Sequence, residues 1–276
     1  MGNQDLKTVI VCSVQDSAGT NIRERLLEEY HFEESGIVFD GSPVYSLKPD
    51  IYLATSRQFI IYVDKKLDEV FHAERSVFIS RHYAESGIPS LTAHFTGNFG
   101  KADFGGRPGE IARFSPSLLK TYMQNLRSNS KETDSPYNIT LEATHHGPSS
   151  LNSTVLFAEL GSSERQWEDM QAASKISEAL MTTLQNPRSF DKCAVCVGGT
   201  HYSEKFNNFL FDSEYALGPI APKYALEFFT PEILEQILQK SDQPIKAALI
   251  DKKGLGKFKE AALGILDSAG LEKIYV

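Results

Sequence analysis

Short apolar segments rich in β-branched residues alternate with amphipathic segments, and this alternation restricts the fold more than any other feature of the sequence. The first apolar run covers residues 8–14, and similar runs recur at residues 51–54, 59–63, 77–80, 91–95, 139–143, 194–197 and 247–250. Runs of this length and composition are typical of buried strands. Strands that alternate with helices predict an α/β fold, in which helices cover a mostly parallel or mixed twisted sheet.

Several helices have clear predicted starts. Ser115 and Thr230 each stand before a proline at the first helical position, and we expect Thr20 to cap the first helix. Further helices are predicted over residues 164–184 and up to a stop near Gly270. Nine polar residues at 128–136 predict a surface loop.

The chain contains neither an internal repeat nor a long linker. We therefore expect residues 1–276 to form a single α/β catalytic domain. Residues 36–75 interrupt the strand–helix alternation, and they predict a strand-rich insertion with a meander or hairpin.

Composition excludes several classes of protein. The formal net charge of −8 argues against a protein that coats DNA or RNA broadly, because such binding scales with the number of Lys and Arg side chains. No apolar run approaches the roughly 20 residues that a membrane span needs, and the segment that begins Met1-Gly2 lacks a secretory pattern. Three cysteines fit a reducing cytoplasm. Cys193 and Cys196 are expected on opposite faces of a buried strand, hence in the core.

Histidines follow three of the apolar runs. His94 lies near the end of the run at residues 91–95, His145 and His146 follow the run at 139–143, and His201 follows the run at 194–197. The carboxyl ends of parallel strands meet at one edge of an α/β sheet, where ligands bind. The sequence therefore predicts one composite site at a histidine-lined edge.

Imidazole and carboxylate groups of this set are the ligands that zinc prefers. The candidate ligands are His94, His145, His146, His201 and Glu142. Zinc lowers the pKa of its bound water towards about 7, which suits hydrolysis. The HExxH pattern is absent, so two alternatives remain open. Either the histidines bind a metal, or they bind substrate and transfer protons without one.

Two other features point to an anionic ligand. Asp16 and Asn21 lie where the first strand passes into the first helix, and backbone amides at such a start attract anions. Residues 246–259, which include Lys252 and Lys253, carry a local net charge of +4, as do residues 101–131. Such islands can hold a short stretch of phosphate backbone on an acidic chain.

Four motifs of the chain together point to a known family. They are His94-Phe95-Thr96-Gly97-Asn98, Glu142-Ala143-Thr144-His145-His146-Gly147-Pro148, Gly161-Ser162-Ser163-Glu164-Arg165-Gln166-Trp167 and Gly198-Gly199-Thr200-His201-Tyr202. With Arg81-His82, Ser86-Gly87-Ile88-Pro89, residues 16–22 and Pro222-Lys223-Tyr224-Ala225, they resemble the archaeal and plant type of D-aminoacyl-tRNA deacylase. The likeness extends from about residue 8 to residue 256. Lys252 stands where the family usually has tryptophan.

The resemblance implies a cytoplasmic, monomeric hydrolase of translation quality control. Such an enzyme cleaves the ester between a D-amino acid and the 3′ ribose at the tRNA acceptor end, on a fold similar to phosphorylases and peptidyl-tRNA hydrolases. It also implies zinc, with two ions per chain. On this basis we assign catalysis to Glu142, His145, His146 and His201, and metal binding to these four together with His94.

Substrate contacts are expected from eight residues. These are Asp16, Asn21, Thr96, Asn98, Gly198, Gly199, Lys252 and Lys253. The alternative functions are a peptidyl-tRNA hydrolase or zinc aminopeptidase on a similar scaffold, and a non-catalytic module that binds an RNA end.

Overall fold

The computed structural model describes residues 7–47, 50–63, 65–132 and 135–276, and the strands of these ranges form three sheets. The strands are β1 (Thr8–Ser13), β2 (Glu33–Phe39), β3 (Ser42–Leu47), β4 (Ile51–Ser56), β5 (Arg75–Tyr83), β6 (Ser90–His94), β7 (Gly97–Asn98), β8 (Glu110–Ile111), β9 (Asn138–Leu141), β10 (Thr154–Ser162), β11 (Cys193–Val197), β12 (Ala216–Ala221), β13 (Ala247–Ile250) and β14 (Glu272–Tyr275). The helices are α1 (Ser17–Glu29), α2 (Lys65–Phe71), α3 (Pro116–Glu132), α4 (Glu164–Trp167), α5 (Met170–Gln185), α6 (Glu204–Asp212), α7 (Pro231–Lys240) and α8 (Lys259–Ser268).

A large mixed sheet and a small parallel sheet confirm the predicted α/β class. The large sheet has the order β2-β3-β4-β1-β5-β10-β6-β9, the small sheet has the order β12-β11-β13-β14, and β7 pairs with β8. The central strands β1, β5 and β10 run parallel and are buried on both faces. Helices are therefore needed on both sides of the sheet.

The large sheet separates two hydrophobic cores. Side chains alternate between them, so Ile10 lies in the larger core and Val11 lies in the smaller one. The larger core includes α1, α3 and α5 and continues into the small sheet. Cys193 and Cys196 lie in this core as free, buried thiols, as predicted.

Strand direction and the division into two sheets correct part of the predicted arrangement of the site. The strand β6, which ends in His94, runs antiparallel to β10, and β9 runs parallel to β6. The carboxyl ends of β6 and β9 therefore lie at the opposite edge of the large sheet from those of β5 and β10. His94 and the His145-His146 turn stand at the ends of parallel neighbouring strands and lie at one edge of the large sheet, as predicted. His201 follows β11 of the small sheet and joins them from there, whereas the side chains of β5 and β10 approach from the opposite direction.

A β2–β3 hairpin, which begins at Glu33 and continues into the predicted insertion at residues 36–75, extends the edge of the large sheet. The strands β2, β3 and β4 pair antiparallel, while β4 pairs parallel with β1. The apolar run at residues 59–63 was predicted as a strand, but it contains a 3-10 turn at Ile60–Tyr62. A short apolar run fits either structure, and here it buries Ile60 without joining a sheet.

Helix boundaries differ from the predictions at three places. The first helix is capped by Asp16 rather than Thr20, because the Asp16 carboxylate accepts from the Gly19 amide at 2.8 Å. The expected helix over 164–184 is divided into α4 and α5, since Asp169 caps a new start. Residues 128–132 belong to α3 rather than to a loop, and Thr133 and Asp134 of the predicted loop lie outside the described residues.

Other helix predictions are confirmed. The Ser115 hydroxyl accepts from the Leu118 amide, and the Thr230 hydroxyl accepts from the Ile233 amide. The last helix ends just before Gly270, which has a φ of 66°. Among the described residues, no helix is long and apolar enough to span a membrane. The segment Met1-Gly2 lies outside them.

Candidate active site

A cleft of about 340 Å³ opens on the face of the large sheet that carries the smaller core. The sheet positions Ser80 and His82 on β5, Glu159 on β10 and His94 on β6. Cross-strand register places Ser80 opposite Glu159 and His94 opposite Phe157. The loop after β9 and the loop after β11 complete the polar cluster with Glu142, His145, His146 and His201.

Three histidine rings meet at the cleft, where His145 and His146 line the wall and His94 is buried behind them. The ring centroid of His94 lies 4.2 Å from that of His145 and 4.9 Å from that of His146. The centroids of His145 and His146 are 4.3 Å apart, although the residues are consecutive. His146 has a φ of 44°, in the left-handed region that non-glycine residues rarely adopt. This turn brings both rings to the same side, which a strand cannot do.

Backbone carbonyls fix the orientation of all three rings. The Nδ1 atoms of His94, His145 and His146 lie 3.1, 2.8 and 2.7 Å from the carbonyl oxygens of Phe95, Ala143 and Gly147. A carbonyl can only accept, so each Nδ1 carries a proton and donates it. In the neutral ring, Nε2 is then left with a free lone pair, which is the tautomer that metal-ligating histidines present.

Two buried carboxylates lie beside the histidines. Glu159 accepts from the Ser80 hydroxyl at 2.6 Å, and its other oxygen lies 3.6 Å from Nδ1 of His82. Nδ1 of His82 also lies 3.1 Å from Oε1 of Glu142. Both carboxylates and His82 are almost fully buried. A pair of buried negative charges requires compensating positive charge at this point.

His201 connects the buried Glu142 to the surface. Its Nε2 donates to Oε2 of Glu142 at 3.0 Å, and its Nδ1 accepts from the Tyr224 hydroxyl at 2.9 Å. Tyr224 is 59% exposed, so Nδ1 of His201 faces the open side of the cleft. The carboxylate orients the ring, which is the arrangement of a general base.

The titration behaviour of the cluster follows from burial and from the two carboxylates. Burial lowers the pKa of His146 to about 4 and that of His145 well below its usual range, so both rings are neutral. Against the effect of burial, Glu142 and Glu159 raise the pKa of His82 to about 10. Despite its own burial, Glu159 has its pKa lowered to about 2 by His82 and His94.

The donor set fits divalent metal ions. Three groups bring their ligand atoms within 4.8 Å of one another: His94 with His145 and His146, Glu142 with His145 and His201, and His82 with Glu142 and Glu159. Nε2 of His94 is buried without a hydrogen bond in the described part of the chain, and the nearest carboxylate oxygen, Oε1 of Glu159, lies 3.8 Å away. A buried polar atom without a hydrogen bond is costly, and a cation bound by His94, His145 and His146 would satisfy it.

The predicted substrate-contact residues divide into two sets. Asp16 lines the cleft, although its carboxylate is occupied by the backbone amides of Gly19 and Arg81. Asn21 lies apart from the cleft lining and donates to the Trp167 carbonyl at 2.7 Å. Thr96 and Asn98 are buried and hold neighbouring loops, Thr96 through the Pro148 carbonyl and Asn98 through that of Gly105. Contact with substrate stays a prediction for these residues.

The glycine and lysine candidates lie at the end of the small sheet. Gly198 and Gly199 have φ values of 99° and 80°, which a side chain would oppose, and they turn the chain after β11. The turn that carries Lys252 and Lys253 packs against them, since a Cβ on Gly254 would lie 2.0 Å from the Gly199 amide. Both lysines are exposed.

Sequence reasoning did not select His82 and Glu159 as site residues. The run at 77–80 was predicted as a strand, and its period-2 extension would have put Ser80 and His82 on one face. Glu159 had no such signal, because β10 itself was not predicted. Gly161 stands opposite His82 on β10, and a Cβ there would lie 2.4 Å from the His82 carbonyl oxygen.

Comparison with known proteins gives consistent matches. A family model described as D-aminoacyl-tRNA deacylase matches residues 70–274. A D-aminoacyl-tRNA deacylase of Pyrococcus furiosus is 36% identical over 271 residues, which cover 96% of this chain and 98% of that protein. One from Cenarchaeum symbiosum is 41% identical over 198 residues, covering 72% and 76%. A crystal structure titled as a conserved protein of unknown function has a TM-score of 0.90 at 32% identity, and the match covers 99% of this chain and 96% of that one.

Proposed function

This chain belongs to the D-aminoacyl-tRNA deacylase family, and from that premise we propose that its histidine–carboxylate cleft hydrolyses the D-aminoacyl ester at the tRNA 3′ end with the help of zinc. As a member of the family, the chain is a hydrolase that acts on an ester bond of tRNA. The observation that carries the zinc proposal is the shared orientation of three histidines, each of which donates Nδ1–H to a carbonyl and turns Nε2 inwards.

Two ions can be held at once by groups that share no residue. One group is His94, His145 and His146, and the other is His82, Glu142 and Glu159. The first offers three imidazoles, and the second offers two carboxylates and one imidazole, all of which are ordinary zinc ligands. Zinc bound there would lower the pKa of a water molecule and polarise the ester carbonyl.

His201 is the proposed proton carrier. Its Nδ1 accepts a proton from the attacking water once substrate replaces the Tyr224 hydroxyl, and Glu142 stabilises the resulting imidazolium through Nε2–H. The same proton then passes to the 3′ oxygen of the ribose as the ester bond breaks. The products are the free D-amino acid and deacylated tRNA.

The setting of the reaction is part of the proposal. Aminoacyl-tRNA serves translation, which favours the cytoplasm. The described thiols Cys12, Cys193 and Cys196 are free and buried, which agrees with a reducing compartment. We also propose that the chain acts as a monomer on the acceptor end, which size-exclusion chromatography with light scattering can test.

The test is a deacylation assay combined with metal analysis. Purified protein is assayed on matched D- and L-tyrosyl-tRNA before chelation, after chelation and after zinc is restored. We expect selective hydrolysis of the D-ester that is lost with the metal and regained with zinc. Full activity in protein shown by mass spectrometry to be metal-free would refute the zinc proposal, while the family assignment would stand.

A further inference from the structure

A second depression of about 670 Å³ adjoins the cleft on the side of the small sheet. We call it the lysine groove, and its walls are formed by Gly199, His201, Lys223, Tyr224, Lys257 and Phe258. His201 lines both the groove and the cleft. Any ligand in the groove therefore reaches the proton carrier of the proposed reaction directly.

The groove carries positive charge that the fold leaves uncompensated. Lys223 and Lys257 are exposed, and neither forms an ion pair with a carboxylate of the described residues. By contrast, the nearby Lys205 is paired with Asp251 at 2.9 Å. On a chain of net charge −8, two unpaired ammonium groups beside a catalytic residue form a local site for anions.

Aromatic rings lie beside these charges. Tyr224 is 59% exposed, and the Lys257 ammonium lies 4.9 Å from the ring centroid of Phe258. Lys223 packs over the backbone of Gly256, since its Cε lies 3.2 Å from the point where a Cβ on Gly256 would stand. Flat rings alternating with cations are the elements that bind single-stranded nucleic acid, where rings stack on bases and cations contact phosphates.

We propose that the lysine groove binds the single-stranded 3′ end of tRNA, with Lys223 and Lys257 on the phosphates that precede the terminal adenosine and with Tyr224 and Phe258 as stacking surfaces. This role rests on the proposed function, because the groove would hold the nucleotides that precede the ester bound in the cleft. A protein partner fits less well, since the groove leads into His201 and ends beside the cleft.

The test compares two substrates that differ only in the RNA that precedes the ester. One is D-tyrosyl-tRNA, and the other is the D-tyrosyl ester of adenosine, which lacks the preceding phosphates. Lys223→Glu and Lys257→Glu should each raise KM for the tRNA substrate about tenfold with little change in kcat. Phe258→Ala should raise KM for the tRNA substrate by about fivefold or more, because a stacking surface is lost. The two lysine variants should not change hydrolysis of the adenosine ester, because that substrate lacks the phosphates they contact.

The matched control is Lys246→Glu, which makes the same charge change at the start of β13, the opposite end of the small sheet. It should leave KM for both substrates unchanged. Equal losses on both substrates, or equal effects of Lys246→Glu and Lys257→Glu, would overturn the groove assignment.

A binding measurement separates this proposal from the function on which it rests. The probe is a fluorescent single-stranded RNA that ends in cytidine-cytidine-adenosine with a free 3′ hydroxyl. Lys257→Glu should weaken its binding to the intact chain about tenfold, and Lys246→Glu should not. If the wild-type chain cleaves neither ester but shows this pattern, the hydrolase proposal fails and the groove stands. Unaltered binding in Lys257→Glu refutes the groove whatever the activity.

Discussion

At the scale of single residues, His94 gives the sharpest test of the metal site. Its buried Nε2 makes no hydrogen bond among the described residues, and Oε1 of Glu159 lies 3.8 Å from it, so removal of the ring deletes a ligand and weakens only this long contact. We expect His94→Ala to lose about one zinc per chain and at least about 10–100-fold in kcat. Metal is measured by mass spectrometry, with exposed His31→Ala as the control. Unchanged zinc content in His94→Ala would contradict the assignment.

His82 predicts a pH dependence of the metal-free protein. Glu142 and Glu159 raise its folded pKa to about 10 against the effect of burial, whereas a histidine of the unfolded chain titrates near about 6.5. Between these values the folded state binds more protons than the unfolded state, so the free energy of unfolding falls as pH rises. Denaturant titrations of chelated protein from about pH 7 to about pH 10 should show this fall.

The matched variant for that measurement is His82→Gln. It keeps a polar side chain at the position but cannot titrate, so its free energy of unfolding should depend less on pH across the same range. Wild type and variant with parallel profiles would show that another group accounts for the slope.

At the scale of elements, the start of α1 depends on Asp16. The carboxylate accepts from Gly19 and also from the Arg81 amide on β5, so it joins the helix to the central strand. Asp16→Ala should lower the free energy of unfolding by about 1–2 kcal/mol, measured by denaturant titration. Thr20→Ala is the control, because Thr20 lies inside the helix and its hydroxyl bonds only to carbonyls of the same turn. If Thr20→Ala lowered the free energy of unfolding more than Asp16→Ala, Thr20 and not Asp16 would be the cap of α1.

The strand β10 requires a glycine opposite His82. A Cβ on Gly161 would lie 2.4 Å from the His82 carbonyl oxygen, so Gly161→Ala must displace β5 or β10. We expect a loss of about 1–3 kcal/mol in stability together with a loss of activity, because His82 moves with its strand. Gly264→Ala in α8 meets nothing within 4 Å and should be neutral or stabilising. Normal activity in Gly161→Ala would contradict this account.

The elements also show how far local sequence signals extend. Prolines after Ser115 and Thr230 and the β-branched run of β1 act within a few residues, and those predictions are confirmed. The apolar run at residues 155–158 is as long as others that were predicted as strands, so β10 had a local signal that the sequence analysis did not use. The burial of Glu159 in the same strand had none, because it depends on the imidazoles of His82 and His94. Strand direction is likewise non-local, so the opposed approach of β6 could not be predicted from spacing.

At the scale of the whole molecule, the position of the site reflects the contact between the two sheets. The Ala143 amide donates to the His201 carbonyl, and the Thr144 amide donates to the Ile220 carbonyl, which fixes the loop after β9 against the small sheet. The histidine motifs were predictable because each is short and follows a recognisable strand. Their partners His82 and Glu159 depend on sheet pairing over about 80 residues of sequence separation, which no local pattern records.

Net charge gives the last prediction. A chain of charge −8 cannot hold the tRNA body by broad electrostatic attraction, so the salt dependence of binding should come from the lysine groove and the adjoining Lys252 and Lys253. Each phosphate contact with a single strand contributes a slope of about −0.7 in log K against log salt concentration, so two groove lysines give about −1.4. Lys252→Glu combined with Lys253→Glu should weaken tRNA binding and flatten the slope by about 1 or less, because these side chains flank the groove rather than line it. Titrations of labelled tRNA at several salt concentrations measure this. A wild-type slope steeper than about −4 would show that the protein contacts the duplex arms, and would refute recognition through the acceptor end.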